Sequence, residues 1–492
     1  MADYTLGIDM GTSGVKVAVL DLSHFRLIAL AMQSYNNAAL QPSTMLWEAT
    51  AATIRKAVAG IDVQAIRGVG LSSQMHGTVL YDAQGQVIEP IINWQDKRGD
   101  APLPKYSNRS TVATMMDLLA GPEFDDLGIA TLASGYLGAT LFHIKENDPA
   151  LFDQIRHVAL PGDFIRGKLL GACDFATDPT NACGTGLFNT RLNQWHESVI
   201  AKLGLSSALL PRVRDTAAVA GALPDEIARS LRLQPGTPVT YGGGDNQMSL
   251  LGNGLISGDS PALINIGTGA QISRVTPHYA RVAGIDTRSY FDGSYVFVGA
   301  SMGGGRNYAQ LRDALRVREG RDFGYRQMDA LAADVAVGAD GLVFQVSSRL
   351  DQQRQERFSG RTELRSAGHQ ARAVMEGILL DLYALPPPTG GSDAGFMIGA
   401  GKGLHDSQVW AQMAADFFAC PLKITNFENA VWGAALMAAV GAGVVQDVNQ
   451  ALATIEYSHE WAPNAAHSAQ YRDLIAQRLE ASRSMQNLPG TS

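Results

Sequence analysis

The same short pattern occurs near the start of the chain and again past its midpoint. Residues 9–14 read DMGTSG and residues 265–270 read NIGTGA, and apolar stretches with the alternation of β-strands flank both copies. Each copy is therefore predicted to be a hairpin with a glycine-rich tip. Because each copy opens about half of the chain, the repeat favours two related α/β domains over a solenoid of short units.

The length of 492 residues agrees with this division, since one compact core rarely grows so large. We place the domains at residues 1–254 and 255–485. In the first half, strands predicted at residues 67–71 and 157–160 alternate with helical patterns such as residues 46–59. In the second half, strands predicted at residues 238–241, 295–298 and 396–398 run into glycine clusters, which let a ligand approach the backbone. The predicted fold class is α/β with a central cleft, and the cleft is the expected ligand site.

Composition and charge exclude several other classes of protein. The 39 Lys and Arg residues stand against 47 Asp and Glu, a net charge of −8, so nucleic acid is not an expected partner. Cys173, Cys183 and Cys420 lack metal or disulfide spacing and are predicted to be reduced thiols. The start of the chain does not resemble a signal peptide, and the longest apolar run, residues 430–445, is shorter than the roughly 18 residues of a membrane span. We expect a cytoplasmic protein with a buried helix at this run and no membrane contact.

The first hairpin tip has the residues of a phosphate site. Gly11, Thr12 and Ser13 allow several backbone N–H groups to point at one spot, and Lys16 on the return strand adds a positive charge. Asp9 at the end of the first strand is predicted to hold Mg²⁺ against a triphosphate, directly or through water. An ordinary solvent-facing hairpin explains one such tip equally well.

The second tip favours the phosphate interpretation. Gly267, Thr268 and Gly269 repeat the arrangement, and two opposed hairpins from duplicated domains would clamp one triphosphate between them. A cleft that closes in this way excludes water. ATP with Mg²⁺ is the predicted ligand pair.

An acidic residue follows a run of glycines at the end of the first half. Asp245, after Gly242–Gly244, is predicted to be the general base that accepts the proton of a sugar hydroxyl during phosphoryl transfer. An aspartate in this context is also commonly a helix N-cap, and that alternative stays open. The position of Asp245 opposite Asp9 in the duplicated plan favours catalysis.

The polar clusters at residues 73–77 and 93–98 suit a sugar pocket. They offer an aromatic face for the carbon chain and hydrogen-bonding groups for the hydroxyls. A single histidine such as His76 is also often structural. The predicted substrate-binding residues are Gln74, Met75, His76, Trp94, Asp96, Asp245 and Asn246.

A P-loop is excluded at residues 399–403, since the leading glycine and the Ser or Thr after Lys402 are missing. The motifs GIDMGTSGVK, SQMHG, W-x-D-x-R, GGGDN, NIGTG, the glycine run before Lys402 and ENAVWGAA occur in this order along nearly the whole chain. In this respect the sequence resembles the FGGY carbohydrate kinases. The resemblance implies two ribonuclease H-like domains of the actin-like ATPase fold, with ATP on the C-terminal side of the cleft, sugar mainly on the N-terminal side, and a homodimer.

Site roles follow from the same motifs. They make Asp9 the magnesium-associated carboxylate and Asp245 the base. The residues that the resemblance assigns to ATP are Gly11, Thr12, Ser13, Lys16, Gly267, Thr268, Gly269, Gly304, Asn307, Gly399, Ala400, Gly401 and Lys402.

The motifs do not single out one sugar as the substrate. SQMHG resembles the xylulokinase branch and implies phosphorylation of D-xylulose to D-xylulose 5-phosphate, whereas residues 93–96, 139–142 and 188–190 also look similar to sedoheptulokinases. Sedoheptulose or another ketose or polyol is the alternative substrate. The Glu and Pro that many family members carry near residues 347–349 are missing here. A non-catalytic regulator that binds sugar and nucleotide, or an actin-like ATPase acting on a protein partner, is the rival from another class.

Overall fold

The computed structural model describes residues 3–173, 175–258, 261–301, 303–320, 322–346, 358–360, 366–385, 394–425 and 428–486. Residues 347–349, where the sequence departs from the family pattern, lie outside these ranges. The strands of the two main sheets are β1 Tyr4–Met10, β2 Gly14–Asp21, β3 Arg26–Ser34, β4 Ile66–Ser73, β5 Val219–Ala222, β6 Pro238–Thr240, β7 Gly243–Gly244, β8 Leu263–Ile266, β9 Ala270–Thr276, β10 Asp286–Ser289, β11 Tyr295–Ser301, β12 Met397–Ala400, β13 Leu422–Thr425 and β14 Tyr457–Trp461.

The two sheets repeat one topology. The first has the order β5-β6-β4-β1-β2-β3, with β7 also paired to β4, and the second has the order β14-β13-β12-β8-β9-β11-β10. In each sheet the hairpin strands are antiparallel, the next two strands are parallel to the first hairpin strand, and an antiparallel strand follows them. The duplication predicted from the two tips therefore extends to whole sheets, and the chain has the predicted two-domain α/β fold.

Helices cover the sheets and fill the connections. The longer ones are α1 Ser43–Ala57, α2 Thr111–Leu118, α3 Leu137–Asn147, α4 Pro161–Leu170, α5 Asp245–Gly252, α6 Gly305–Glu319, α7 Tyr325–Ala333, α8 Ala367–Tyr383, α9 Gln408–Phe418, α10 Asn429–Gly441 and α11 Ala465–Gln486. Shorter helices span Pro122–Asp126, Pro149–Phe152, Pro179–Ala182, Glu197–Lys202, Asp225–Leu231, Lys402–Asp406 and Val448–Leu452.

Smaller sheets lie outside the two main ones. One consists of Leu40–Gln41, Thr78–Tyr81, Val87–Ile92 and His157–Ala159, and four strand pairs are Pro102–Leu103 with Arg109–Ser110, Ala176–Thr177 with Arg212–Val213, Phe188–Asn189 with Gln194–Trp195, and Leu342–Phe344 with Phe358–Gly360. The apolar stretch at residue 157 is therefore a strand, as predicted, but it belongs to a subsidiary sheet rather than to the central one.

Helix α10 belongs to the second half of the sequence but packs on the first sheet. It covers β1 and β4 on one side and contacts α5 on the other. The contact is close because Gly7 and Gly70 lie beneath the helix, where a Cβ atom would overlap the carbonyl oxygens of Val431 and Ala434. The apolar run predicted to form a buried helix does so, and it ties the two halves together.

A second contact between the halves is made by the residues before and within β10. Tyr279 donates a hydrogen bond to the Asp125 carbonyl, and Arg281 pairs with the Asp125 carboxylate at 3.1 Å. Nearby, the Thr287 N–H donates to the Gly128 carbonyl at 2.6 Å. The segment that leads into β10 is therefore fixed against the first half.

Several further expectations can be compared with the structure. The strands predicted at residues 67–71, 238–241, 295–298 and 396–398 and the helix predicted at 46–59 are present with bounds shifted by a few residues. Within the described ranges, no helix combines the length and apolar character needed to traverse a bilayer. The domain limits, the cytoplasmic location and the homodimer stay predictions.

Candidate active site

Hydrogen bonds to three backbone carbonyl groups fix the tip of the first hairpin. Gly11 accepts a hydrogen bond from the Tyr35 hydroxyl, Thr12 from Gln41 Nε2 at 2.9 Å, and Ser13 from the Tyr35 backbone N–H at 3.0 Å. In a trans peptide the next N–H points opposite to the carbonyl. The N–H groups of Thr12, Ser13 and Gly14, which follow these carbonyls, therefore point away from the donors, as an anion-binding nest requires.

The second tip is braced in the same manner by a helix start. The carbonyls of Gly267 and Thr268 accept bonds from the first N–H groups of α6, those of Gly305 (2.9 Å) and Arg306 (3.0 Å). Thr268 and Gly269 are exposed. Gly304 and Asn307, both predicted to bind ATP, support this tip. A Cβ at Gly304 would overlap the Gly269 backbone, and Asn307 Oδ1 accepts the Gly304 N–H at 3.0 Å.

A cleft of about 1130 Å³ separates the two halves. Its lining brings together Asp9 and Lys16 from the first hairpin with Asn265, which occupies in the second hairpin the position of Asp9. The residues predicted to meet the adenosine, Gly399, Ala400, Gly401 and Lys402, line the same cleft. The cleft also contains the N-terminus of α10, where Glu428 pairs with Lys16 Nζ at 2.6 Å.

Asp9 at the end of β1 and Asp245 just after β7 lie at the same edge of the first sheet. Asp9 on β1 pairs with Ser72 on β4, and Ser72 pairs on its other side with Gly243 on β7. Adjacent strands lie about 4.8 Å apart, so the backbones of Asp9 and Gly243 are separated by about 10 Å. Asp245 follows two residues later as the first residue of α5. Both carboxylates are therefore presented at one edge of the sheet.

Burial and neighbouring charges set the ionisation of the two carboxyl groups. Burial raises the pKa of Asp9, against a hydrogen bond donated by the Ser72 hydroxyl at 2.8 Å. Burial and then the charge of Asp9 raise the pKa of Asp245 to about 7, while the Asn246 N–H and the cation of Arg288 act in the opposite direction. A carboxyl group with a pKa near the working pH suits general-base catalysis.

The loop before Asp245 rests on a buried polar group. The Gly244 N–H donates to Thr180 Oγ1 at 2.8 Å, and the Thr180 hydroxyl in turn donates to Asp178 Oδ1. Asp178 is fully buried and also accepts from Asn181 Nδ2 at 2.7 Å. These bonds fix the backbone position from which Asp245 begins helix α5.

Met75 and His76 form a wall beside Asp245. A Cβ at Gly244 would lie 2.8 Å from Met75 Sδ, so the thioether packs directly against the residue before Asp245. His76 stacks on Tyr136 with ring centroids 4.5 Å apart, and its Nδ1 lies 2.6 Å from the Gly184 carbonyl. Burial and Arg288 lower the pKa of His76 to about 4. The neutral ring then donates through Nδ1, which leaves Nε2 as an acceptor.

The other predicted sugar residues occupy different environments. Gln74 donates to Gln41 at 3.0 Å, and Trp94 Nε1 donates to Thr12 Oγ1 at 2.8 Å, so both support the first tip. The Trp94 ring is 45% exposed and remains available to a ligand. Asp96 is buried and paired with Arg98 at 2.7 Å, whereas Asn246 follows Asp245 with an enclosed Oδ1 that has no partner among the described residues.

Comparisons with known proteins identify the family of the chain. Residues 4–252 match the N-terminal domain of the FGGY family of carbohydrate kinases, and residues 262–442 match its C-terminal domain. The protein is an FGGY-family carbohydrate kinase. A xylulose kinase from Staphylococcus epidermidis is 25% identical over 94% of this chain and 93% of its own length.

Solved structures show how widely the fold of this kinase is shared. The ligand-bound xylulose kinase of Lactobacillus acidophilus superposes with a TM-score of 0.85 at 20% identity, and 99% of each chain is covered. A gluconate kinase from the same organism gives the same score, identity and coverage. At this identity the likeness concerns the fold, which serves chemically different sugars.

Sequence reasoning missed several residues of the kinase site. Arg288 comes from the second half and reaches Met75, with Nη1 4.0 Å from Sδ. Thr180 and Asp178 hold the loop of Asp245, and Glu428 neutralises Lys16. A signal existed for Glu428, which opens the ENAVWGAA motif, and for Asp178, which precedes Pro179 in a helix-capping pattern.

Proposed function

We propose that this kinase transfers the γ-phosphoryl group of Mg-ATP to a terminal hydroxyl of a ketose, and that D-xylulose is its substrate. The observation that carries the proposal is the environment of Asp245. This carboxylate lies at the edge of the first sheet beside Met75 and His76, and its pKa is raised to about 7 by burial and by Asp9. It is suited to accept a hydroxyl proton at neutral pH.

In the proposed reaction the sugar hydroxyl oxygen attacks the γ-phosphorus and its proton passes to the carboxylate of Asp245. The new O–P bond forms as the bond between the γ-phosphorus and the bridging oxygen breaks, and ADP leaves with that electron pair. The N–H groups of residues 12–14 and 268–269 stabilise the phosphate charge from both sides of the cleft, whereas those of Gly11 and Gly267 are used within the turns. Asp245 then returns its proton to solvent.

Asp9 is the proposed magnesium-associated residue. The described residues contain no cluster of three or more His, Cys, Asp or Glu that would form a complete protein cage for a metal. Magnesium bound to a triphosphate does not need such a cage, because it takes one or two carboxylates and fills its other positions with water and phosphate oxygens. A single partly buried Asp9 at the base of the cleft fits that requirement. When bound, the ion neutralises phosphate charge.

The proposed substrate rests on the Met75-His76 wall and on the relatives. The His76 ring offers an acceptor at Nε2 for a sugar hydroxyl, and the relative from Staphylococcus epidermidis is a xylulose kinase. Sedoheptulose and other ketoses or polyols present the same kinds of hydroxyl groups. A regulator without catalysis would have no need of a base with this pKa.

A coupled assay of ADP release with xylulose, ribulose, sedoheptulose, glycerol and gluconate tests the proposal. We expect the highest kcat/KM with xylulose, and we expect Asp245→Ala to lower kcat by about 10²- to 10⁴-fold while ATP binding, measured by calorimetry, is retained. Asp117→Ala is the control, since the Asp117 side chain is 58% exposed and its ion pair within the described residues is a surface pair with Arg109. Absence of sugar-stimulated turnover would favour the regulator, and normal turnover in Asp245→Ala would refute the base.

A further inference from the structure

Arg288 brings a positive charge from the second half of the chain into the wall that carries Met75 and His76. It lies on β10, only 8% of the residue is exposed, and its Nη1 is 4.0 Å from Met75 Sδ. Its cation is near enough to His76 and to Asp245 to lower the pKa of both groups. Arg288 therefore lies close to Met75, His76 and the proposed base.

Asp286 holds Arg288 in place. Asp286 Oδ2 accepts from Arg288 Nη2 at 3.0 Å, and Oδ1 accepts from the Ala130 N–H at 2.7 Å. The carboxylate is thus tied to the first half of the chain and the guanidinium is tied to the carboxylate. A fixed guanidinium loses little conformational entropy when it binds a ligand.

The guanidinium keeps donors for a ligand. Among the described residues, the acceptor within hydrogen-bond distance of Nη1 is the thioether of Met75, and sulfur is a weak acceptor. A buried charged donor without a good acceptor is costly, and a ligand oxygen would relieve that cost. A sugar hydroxyl or carbonyl oxygen in front of Asp245 is such an acceptor.

The charge balance indicates which oxygen is accepted. Asp286 already neutralises Arg288, so the pair offers directed N–H groups without a net positive charge. A carboxylate ligand would meet the nearby negative charges of Asp286 and Asp245, whereas a hydroxyl or carbonyl would not. The gluconate kinase that shares this fold is named for a charged sugar acid, and the xylulose kinase is named for a neutral sugar.

We propose that Arg288 is a substrate-binding residue contributed by the second domain, and that the Arg288–Asp286 pair selects uncharged polyhydroxy substrates over sugar acids. This inference rests on the proposed function, since it concerns the same sugar pocket. It assigns to β10 a role in specificity that the motifs of the sequence do not indicate.

The first test compares Arg288→Met with Arg281→Met. We expect Arg288→Met to raise KM for the best uncharged substrate by about tenfold or more, with KM for ATP changed by less than about twofold. Arg281 also joins the two halves, through Asp125, but lies outside the sugar wall, so Arg281→Met should leave KM for the sugar within about twofold. An unchanged KM in Arg288→Met, or an equal rise in Arg281→Met, would overturn the assignment.

Arg288→Lys covers the case in which Arg288→Met does not fold. Lysine keeps the charge and the length of the side chain, but a single ammonium cannot hold Asp286 and a substrate oxygen in the geometry of the planar guanidinium. We expect the same rise in KM, with the thermal unfolding temperature close to that of the parent. A parental KM in a folded Arg288→Lys would contradict a role for the guanidinium.

Asp286→Asn tests the selection by charge. Asparagine keeps an oxygen for the Ala130 N–H but leaves Arg288 with an unbalanced charge, so the ratio of kcat/KM for gluconate to that for the ketose should rise by about tenfold. An unchanged or lower ratio would overturn the selection.

The parent enzyme separates this inference from the proposed function. If the parent enzyme prefers another neutral polyol of the panel to xylulose, the proposed substrate is wrong. The KM of the Arg288 variants is then measured with that polyol. If gluconate is preferred, selection by the pair is overturned although the enzyme is a kinase. If no sugar is turned over, the proposed function fails, and sugar binding to Arg288→Met in calorimetry decides the assignment of Arg288.

Discussion

Asp9 and Asp245 lie at one edge of the first sheet, and the negative charge of Asp9 helps to raise the pKa of Asp245. Burial is the larger cause and Asp9 the second, and together they bring the pKa from 3.8 to about 7. The sheet register that pairs Asp9 with Ser72 and Ser72 with Gly243 creates this proximity. The proposed metal-associated residue and the proposed base are therefore electrostatically coupled.

The coupling predicts the pH dependence of the reaction. Since the base must be ionised, kcat/KM for the sugar should rise with pH, with an apparent pKa near 7, and then level off. Asp9→Asn removes one cause of the raised pKa, whereas burial and the opposing charge of Arg288 remain. The acid limb, which is the rising part of this pH profile, should therefore move to lower pH, although its apparent pKa should not fall to 3.8.

Steady-state rates between pH 5.5 and 9 check this expectation. The comparison uses the position of the limb rather than the rate, because Asp9→Asn should also slow turnover through its effect on magnesium. Asp117→Asn, an exposed carboxylate, supplies the control and should leave the limb in place. A limb that stays at its parental pH in Asp9→Asn would show that Asp9 does not act on the ionisation of the base.

The raised pKa of Asp245 also predicts how stability varies with pH. A carboxyl group whose pKa is 3.8 when unfolded and about 7 when folded binds its proton more tightly in the native state. Its contribution to stability is complete below pH 3.8 and is lost as the pH rises through 7. Above pH 7, Asp245→Asn should therefore be more stable than the parent. The expected gain is only about 1–2 kcal/mol, since Asp245 is half-buried and solvent screens part of its charge.

Urea unfolding at pH 4 and pH 8 measures this difference. The advantage of Asp245→Asn should be smaller at pH 4, where the carboxyl group of the parent is neutral in the native state. An equal difference between the two proteins at both pH values would mean that Asp245 ionises without cost in the fold.

Local patterns of the sequence predict the two hairpins, and the run of glycines before Asp245 is a local pattern of the same kind. Apolar alternation around DMGTSG and NIGTGA specified strands and tips, because each depends on residues close in sequence. The supports of the site depend on distant partners. Arg288 meets Met75 and Lys16 meets Glu428 only because the two halves fold against each other, and periodicity carries no information about such pairs.

Helix α10 illustrates the same limit in packing. Its Ala- and Gly-rich composition predicts burial, but the surface that buries it is the first sheet, at Gly7 and Gly70. A side chain at Gly70 would overlap the Ala434 carbonyl, so Gly70→Ser should reduce the free energy of unfolding by about 3 kcal/mol. Gly324→Ser is the matched control, since its Cβ would meet no atom within 4 Å.

Urea unfolding of the two serine variants provides the measurement. We expect Gly324→Ser to remain within about 0.5 kcal/mol of the parent. If Gly70→Ser is equally stable, then α10 does not press on the first sheet as closely as the contact at Ala434 indicates.

Thr180 offers the last test, because it acts on Asp245 through the backbone. Its hydroxyl accepts the Gly244 N–H at 2.8 Å and donates to the buried Asp178, so Thr180→Val leaves a buried N–H without its partner. The start of α5 can then shift, and we expect kcat to fall about tenfold while KM for ATP is unchanged. Thr180→Ser, which keeps the hydroxyl, should restore kcat. Thr53→Val is the control, because Thr53 is a buried threonine whose hydroxyl donates within α1, to the Ala49 carbonyl at 2.7 Å. A loss of stability without a change in kcat in Thr180→Val would assign Thr180 to the fold and not to the positioning of Asp245.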